Sequence, residues 1–151
     1  LAQGGGFALN ADIVVMSERA SIGWPQVKRG ISSVSGPCFL PHAVPWNIAM
    51  GCLMRGKFID AQEAYRLGLA NEVVPHEKLM ESAERWAGEI MENAPLAVHA
   101  IKEAGRRGLE VPVDTRVYMA RDVANRLLNS EDAHEGVLSF KEKRKPQWKG
   151  R

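Results

Sequence analysis

Few residues in this chain have the type and spacing to do chemistry, and glycines come first among them. Gly4-Gly5-Gly6 precede a short stretch, Phe7-Ala8-Leu9-Asn10-Ala11, that can be helical. Glycine lets a backbone N–H come close to a ligand, and a helix starting there adds the positive end of its dipole. By itself the triplet fits a plain helix-start turn equally well. Gln26 follows Trp24-Pro25. Its amide can position a water or a carbonyl but cannot act as a general base near neutral pH. Trp24 has the size to line an apolar pocket or to fill a core. Asp12 and Glu18 are the nearest carboxylates in sequence, and Asp12, at the start of a strand-like run, reads as a structural turn partner.

The other reactive types are scattered. His42, His76, His99 and His134 show no spacing that suggests a metal site. No serine sits in a nucleophile elbow, and neither Cys38 nor Cys52 has a nearby base in sequence. Both cysteines read as buried thiols in a reducing cytoplasm. The tail is locally basic: Lys141, Lys143, Arg144, Lys145, Lys149 and Arg151 stand against Glu142. Such a run is either a solvated end or a contact for a phosphate-bearing ligand.

The elements that must position these residues change in kind along the chain. Ile13-Val14-Val15-Met16 is a short apolar run dominated by β-branched residues, and so reads as a buried strand. Ala20 to Gly23 allows a second strand, and Gly30 to Pro37 reads as a loop. Beyond Pro37 the chain turns helical, with buried apolar stretches at Phe39–Val44 and Asn47–Met54. Asp60 to Glu63 fits a helix start, and Gly68 stops that helix. Asn71 to Val74 is a short strand closed by Pro75. Leu79, Ala83, Trp86 and Ile90 make one apolar helical face. A helix restarts at Pro95 and ends at Gly105 and Gly108. Another runs from about Pro112 to Leu128, and Ser130 caps the last one, with Glu131 and Asp132 in its first turn.

At 151 residues the chain can bury one real core, and 45% hydrophobic with 25% charged residues is ordinary for a globular protein. A net charge of +2, with one aromatic (Trp148) in the tail, argues against a nucleic-acid binder. No stretch approaches the ~18 apolar residues of a membrane span. The start at Leu1-Ala2-Gln3 and the small number of strands, whose edges would stay open, both lead us to expect a piece of a longer chain.

Taken in order, the residues resemble the crotonase superfamily, that is, the enoyl-CoA hydratase/isomerase family, over nearly the whole chain. The matching segments are Gly4-Gly5-Gly6, Asp12 to Val15, Pro25 to Gly30 and Leu40-Pro41. They continue with Gly56 to Ala64, Gly68 to Pro75, Ala94 to Ala97 with Lys102, Ser130 to Asp132 with Glu135-Gly136, and Phe140 to Pro146. The resemblance implies an α/β fold of the ClpP/crotonase spiral type, present in part, with few short strands followed by a mainly helical C-terminal region. It implies residues 1–75 as the C-terminal part of the α/β core and 76–151 as a helical oligomerisation region. Trimers or dimers of trimers are the expected assembly, and the cytoplasm the expected compartment.

The family chemistry stabilises a thioester enolate with two backbone N–H donors. The resemblance assigns one donor to Gly5, with Gly4 beside it, and the other to a segment upstream of the triplet. Hydratases of the family also use two glutamates. Their positions fall here on Ala8 or Gly6, depending on the direction of counting, and on Gln26, so a standard hydratase is not expected. Trp24, Pro25, Phe140 and Lys143 are the remaining substrate-binding candidates, with Lys143 able to meet a phosphate as a point charge. No separate cofactor is implied, since coenzyme A belongs to the acyl-CoA thioester substrate, and no metal, nucleic acid or membrane. The alternative is a truncated, inactive member that only assembles or binds coenzyme A.

Overall fold

The computed structural model describes residues 3–151; Leu1 and Ala2, on which the reading of the chain start depended, lie outside the described residues. The chain divides into two compact units, Leu1–Glu84 and Arg85–Arg151.

The first unit holds all four described strands, each three residues long. Helix α1 (Gln3–Asn10) comes first, then β1 (Val15–Ser17) and β2 (Ser21–Gly23). A 3₁₀ turn (Pro25–Arg29), α2 (Ser35–Ala43) and α3 (Trp46–Arg55) follow. Then come β3 (Phe58–Asp60), α4 (Ala61–Arg66) and β4 (Glu72–Val74). β1 pairs in parallel with β4, Met16 opposite Val73, and β2 pairs antiparallel with β3, Ile22 opposite Ile59. Asn71 lengthens the first ladder by one step. Its N–H donates to the Val14 carbonyl, and its side-chain oxygen accepts from the Val14 N–H, both at 2.8 Å.

The core of this unit gathers Met16, Ile22, Trp24, Leu40, Val44, Ala49, Ile59 and Leu69, with small residues Ala61, Ala64 and Ala70 between them. Trp24 sets the spacing. A Cβ placed on Gly5 would lie 2.8 Å from the Trp24 ring and 2.8 Å from Ile22 Cγ2, and one on Gly36 would lie 2.8 Å from Trp24 Cγ. Glycine at these two positions lets α1 and α2 close on the indole, whose burial is worth a few kcal/mol, about 3 by the scale of core truncations. The expected helix start is present, since the Asp60 carboxylate accepts the Glu63 N–H at 2.8 Å. Gly56 (φ +57°) and Gly68 (φ +75°) take the left-handed geometry that ends α3 and follows α4.

Several expectations need correction. The loop from Gly30 ends earlier than Pro37, because α2 begins at Ser35, with the Ser33 hydroxyl accepting the Gly36 N–H at 3.0 Å. Cys38 is exposed on α2 and Cys52 only half-buried, so they are not a pair of buried thiols. Met54, expected inside, is exposed, because α3 buries Ala49 and leaves its last turn open.

Helix α5 (Leu79–Met91) spans the division between units. The second unit continues with α6 (Pro95–Gly108), α7 (Val113–Asn125) and α8 (Glu131–Glu142). α6 passes through Gly105 without ending; an isolated glycine costs helix stability but does not stop a helix. α6 and α7 pack as a pair, and the Ser130 hydroxyl caps α8 by accepting the Ala133 N–H at 3.0 Å. After α8 the chain reverses at Lys143 and returns as an extended tail along the same helix.

Candidate functional site

The residues expected to act fall into two places. Gly4, Gly5, Trp24, Pro25 and Gln26 belong to the first unit, while Phe140 and Lys143 belong to the second.

Gly5 lies in the first described turn of α1. It is buried against Trp24 and Ile22, which fixes where the N–H sits. Gly6 is also required by contact, since a Cβ there would come 2.7 Å from Ser35 Cβ. Gly4 differs: it is exposed, and an added Cβ would meet nothing within 4 Å. Neither Gly6 nor Ala8 can carry a proton, and the described α1 holds no acid or base.

Trp24 turns out to be both things its sequence context allowed. It is 2% exposed and its indole N–H donates to the Ser35 hydroxyl at 3.0 Å, as a core residue would. It also forms a wall of a cavity of about 380 Å³ lined by Val27, Ile31, Ser33, Pro37 and Leu53 among others. That volume lies in the range of small-molecule pockets. Pro25 opens the 3₁₀ turn that carries Gln26 two residues beyond the indole. The Gln26 side-chain oxygen is enclosed and accepts no hydrogen bond from any described residue. An enclosed acceptor left unpaired costs about 1–3 kcal/mol, the kind of exception that calls for a functional reason.

In the second unit Phe140 is 86% exposed. It stands on α8 at an apolar groove of about 560 Å³ with Ala97, Leu127, Val137 and Trp148. The basic tail is neither free nor wholly available to a ligand. Arg144 makes a fork to Glu135, Nη1 to Oε1 at 2.5 Å and Nη2 to Oε2 at 2.9 Å, and its Nε donates to Glu142 at 2.6 Å. Lys149 and Arg151 both pair with Glu131 at 3.0 Å. The Glu135 carboxyl is thereby held down to about 2, first by Arg144 and then by the Gln147 N–H. Asp132, 3% exposed, accepts the Lys149 N–H at 2.6 Å and the Gly150 N–H at 2.9 Å. The Trp148 indole donates to the Glu92 carbonyl at 2.7 Å. The sequence reading placed Asp132 in a helix first turn and Glu135 in a family motif, but gave neither a part in ordering the tail. The signal was present, as acidic residues three apart on a helix that a basic segment follows.

Among the described residues no group of three or more His, Cys, Asp or Glu could hold a metal ion. No described helix is long and apolar enough to cross a membrane.

Short strand ladders, a glycine-rich helix against Trp24 and a helical unit later in the chain fit a crotonase-type fold. The chain superposes on an enoyl-CoA hydratase from Bacillus anthracis with a TM-score of 0.96 at 33% identity, covering 99% of this chain and 58% of that one. An enoyl-CoA hydratase/isomerase from Mycobacterium paratuberculosis gives 0.95 at 36% identity, covering 99% and 57%. The sequence profile of the enoyl-CoA hydratase/isomerase family matches residues 1–151, and the chain belongs to that family. Its curated relatives include proteins named carnitinyl-CoA dehydratase. That of Proteus mirabilis (strain HI4320) is 44% identical over 155 residues, and that of Salmonella typhi 43%. In both cases the alignment covers 98% of this chain and 59% of the relative, so the chain spans about three fifths of their length.

Proposed function

We propose that the protein is an enzyme acting on acyl-CoA thioesters that stabilises a thioester enolate, and that it is not a standard hydratase. The observation that carries this reading is Gly5, a buried glycine of the triplet whose Cα is pinned against Trp24 and Ile22, so that its backbone N–H is held in a fixed place. A carbonyl oxygen that gains negative charge is stabilised by N–H donors fixed in advance, and loss of one donor typically costs a factor of about 100–1000 in rate. Gly4, on the open side of the same turn, leaves room for the thioester to approach. Trp24 and Pro25 of the first unit shape an acyl pocket, and in the second unit Phe140 packs on an acyl chain or an adenine while Lys143 meets a phosphate of coenzyme A. Gln26 orients a water or a substrate group through its amide. Glutamates that would serve hydration are replaced by Gly6 or Ala8 and by Gln26, so the proton is moved by another group. The relatives' name concerns a CoA thioester; for this chain we carry over the thioester class and leave the acyl group open.

We also propose a homo-oligomer, a trimer or dimer of trimers. Of the described hydrophobic residues in the second unit, Val123 alone is fully buried, while Ile101, Leu109, Tyr118 and Phe140 are each more than 70% exposed. Such a surface is suited to packing against other copies.

The donor role can be tested without altering Gly5. Crotonyl-CoA and its thioether analogue, which lacks the carbonyl oxygen, are titrated into the protein by calorimetry. The thioester should bind at least about tenfold more tightly, on the scale of a charge-assisted hydrogen bond. Equal affinities would rule out the N–H donor, and no binding of either would favour an inactive, assembling member of the family.

A further inference from the structure

Lys143 is the one non-glycine residue with positive φ among the described residues, at φ +53° and ψ +40°. It sits just past α8, where its N–H donates to the Phe140 carbonyl and the next N–H, that of Arg144, to the Ser139 carbonyl. This turn favours glycine, which takes the left-handed region without a steric penalty; a lysine must be held there. Its two neighbours do the holding. Glu142 and Arg144 bond each other across it, and Arg144 is forked onto Glu135, one helical turn and more back along α8. The Glu135 oxygen also accepts the Gln147 N–H at 2.8 Å, which fastens the returning tail on the far side of the turn. Of the tail's arginines and lysines, Arg144, Lys149 and Arg151 have carboxylate partners. Lys143 has none among the described residues and is exposed. Lys141 and Lys145 are likewise exposed and without a carboxylate partner among the described residues; Lys143 differs from them in standing on a strained turn that a bidentate ion pair clamps.

We infer that Glu135 and Arg144 are positioning residues, which hold Lys143 in its left-handed turn so that its ammonium is preset for a phosphate of the acyl-CoA substrate. This rests on the reading of Lys143 given under the proposed function and names the parts that make it work. A cation on a free, four-carbon stem loses rotamer and backbone freedom when it binds; one on a fixed turn has part of that ordering done beforehand. The guanidinium is suited to the task because its planar fork fixes direction as well as distance.

The test compares crotonyl-CoA with the phosphate-free thioester S-crotonyl-N-acetylcysteamine on the intact protein. The variants are Lys143→Gly, Glu135→Gln, Arg144→Lys and the double variant Lys143→Gly with Glu135→Gln. Lys143→Gly and Glu135→Gln should each weaken crotonyl-CoA binding about tenfold and leave the phosphate-free thioester unchanged. The double variant should be no weaker than Lys143→Gly alone, because Glu135 has nothing left to act through. Arg144→Lys keeps the charge, loses the fork and should behave like Glu135→Gln; it also serves if Glu135→Gln does not fold. If Lys143→Gly weakens binding while Glu135→Gln and Arg144→Lys bind as the parent does, the positioning role is wrong and the phosphate contact stands. If Lys143→Gly binds as the parent does, the phosphate contact is wrong and the positioning role falls with it. An equal loss for the phosphate-free thioester, or a double variant weaker than either single one, would make Glu135 a purely structural residue.

Discussion

Of three adjacent glycines, Gly5 and Gly6 are required by close contact and Gly4 is not, and the difference is measurable. At Gly5 a methyl group would press into Ile22 and the Trp24 ring, and overpacking of that kind costs about 1–3 kcal/mol. Gly5→Ala should therefore lower the melting temperature by several degrees, roughly 4–8 °C per kcal/mol for a unit of this size. At Gly4 a methyl group meets only open space, so Gly4→Ala should leave the melting temperature unchanged or raise it slightly. Thermal unfolding of the two variants side by side checks both. Gln26 allows a second prediction. Its side-chain oxygen is enclosed and unpaired, so a carboxyl placed there would lose hydration without gaining a donor. Gln26→Glu should carry a pKa well above the usual ~4.3 of glutamate, readable by carbon-13 NMR of the labelled carboxyl. A value at or below 4.3 would mean that a donor reaches the site. At this scale the sequence showed which residues matter but not what they touch. Trp24 was legible as pocket or core, and being both depends on Ser35, eleven residues away, and on two glycines that no spacing rule connects to it.

The elements most legible in the sequence were those with a local cause. Asp60 and Ser130 cap their helices as expected, each through a side-chain oxygen and the backbone N–H three residues on. Strand β3 escaped notice because three residues between Gly56 and a helix cap are too few to show a period of two. The returning tail escaped too, since what orders it is a match between carboxylates on α8 and donors that follow only after the reversal at Lys143. That match has a pH signature. The folded pKa of Glu135, about 2, lies below its ordinary 4.5. The stabilisation is therefore fully present above about 4.5 and is lost as pH falls from there through about 2. Hydrogen exchange at the Gln147 amide, which donates to Glu135, should become faster relative to the intrinsic rate at the same pH on acidification through that window. In Glu135→Gln it should already be fast at neutral pH, and a protected amide in that variant would mean the clamp does not hold the tail.

At the scale of the whole molecule, family and fold class were legible because they reside in an ordered series of short motifs, from the glycine triplet to the Phe140–Pro146 stretch. The proposed assembly comes from the resemblance alone, and the exposed apolar residues of the second unit support it. Tyr118 is 71% exposed on α7, and a charge at such a site is excluded from an apolar interface. Tyr118→Glu should lower the mass found by sedimentation below that of the parent if this face joins copies. An unchanged mass would place the interface elsewhere. The reaction itself is tested most directly by isotope exchange. Incubated with butyryl-CoA in deuterium oxide, the protein should place deuterium on the carbon next to the thioester carbonyl, while hydration of crotonyl-CoA stays at background. Exchange of that carbon reports an enolate whichever residue moves the proton. No deuterium incorporation with bound butyryl-CoA, or rapid hydration of crotonyl-CoA, would contradict the account.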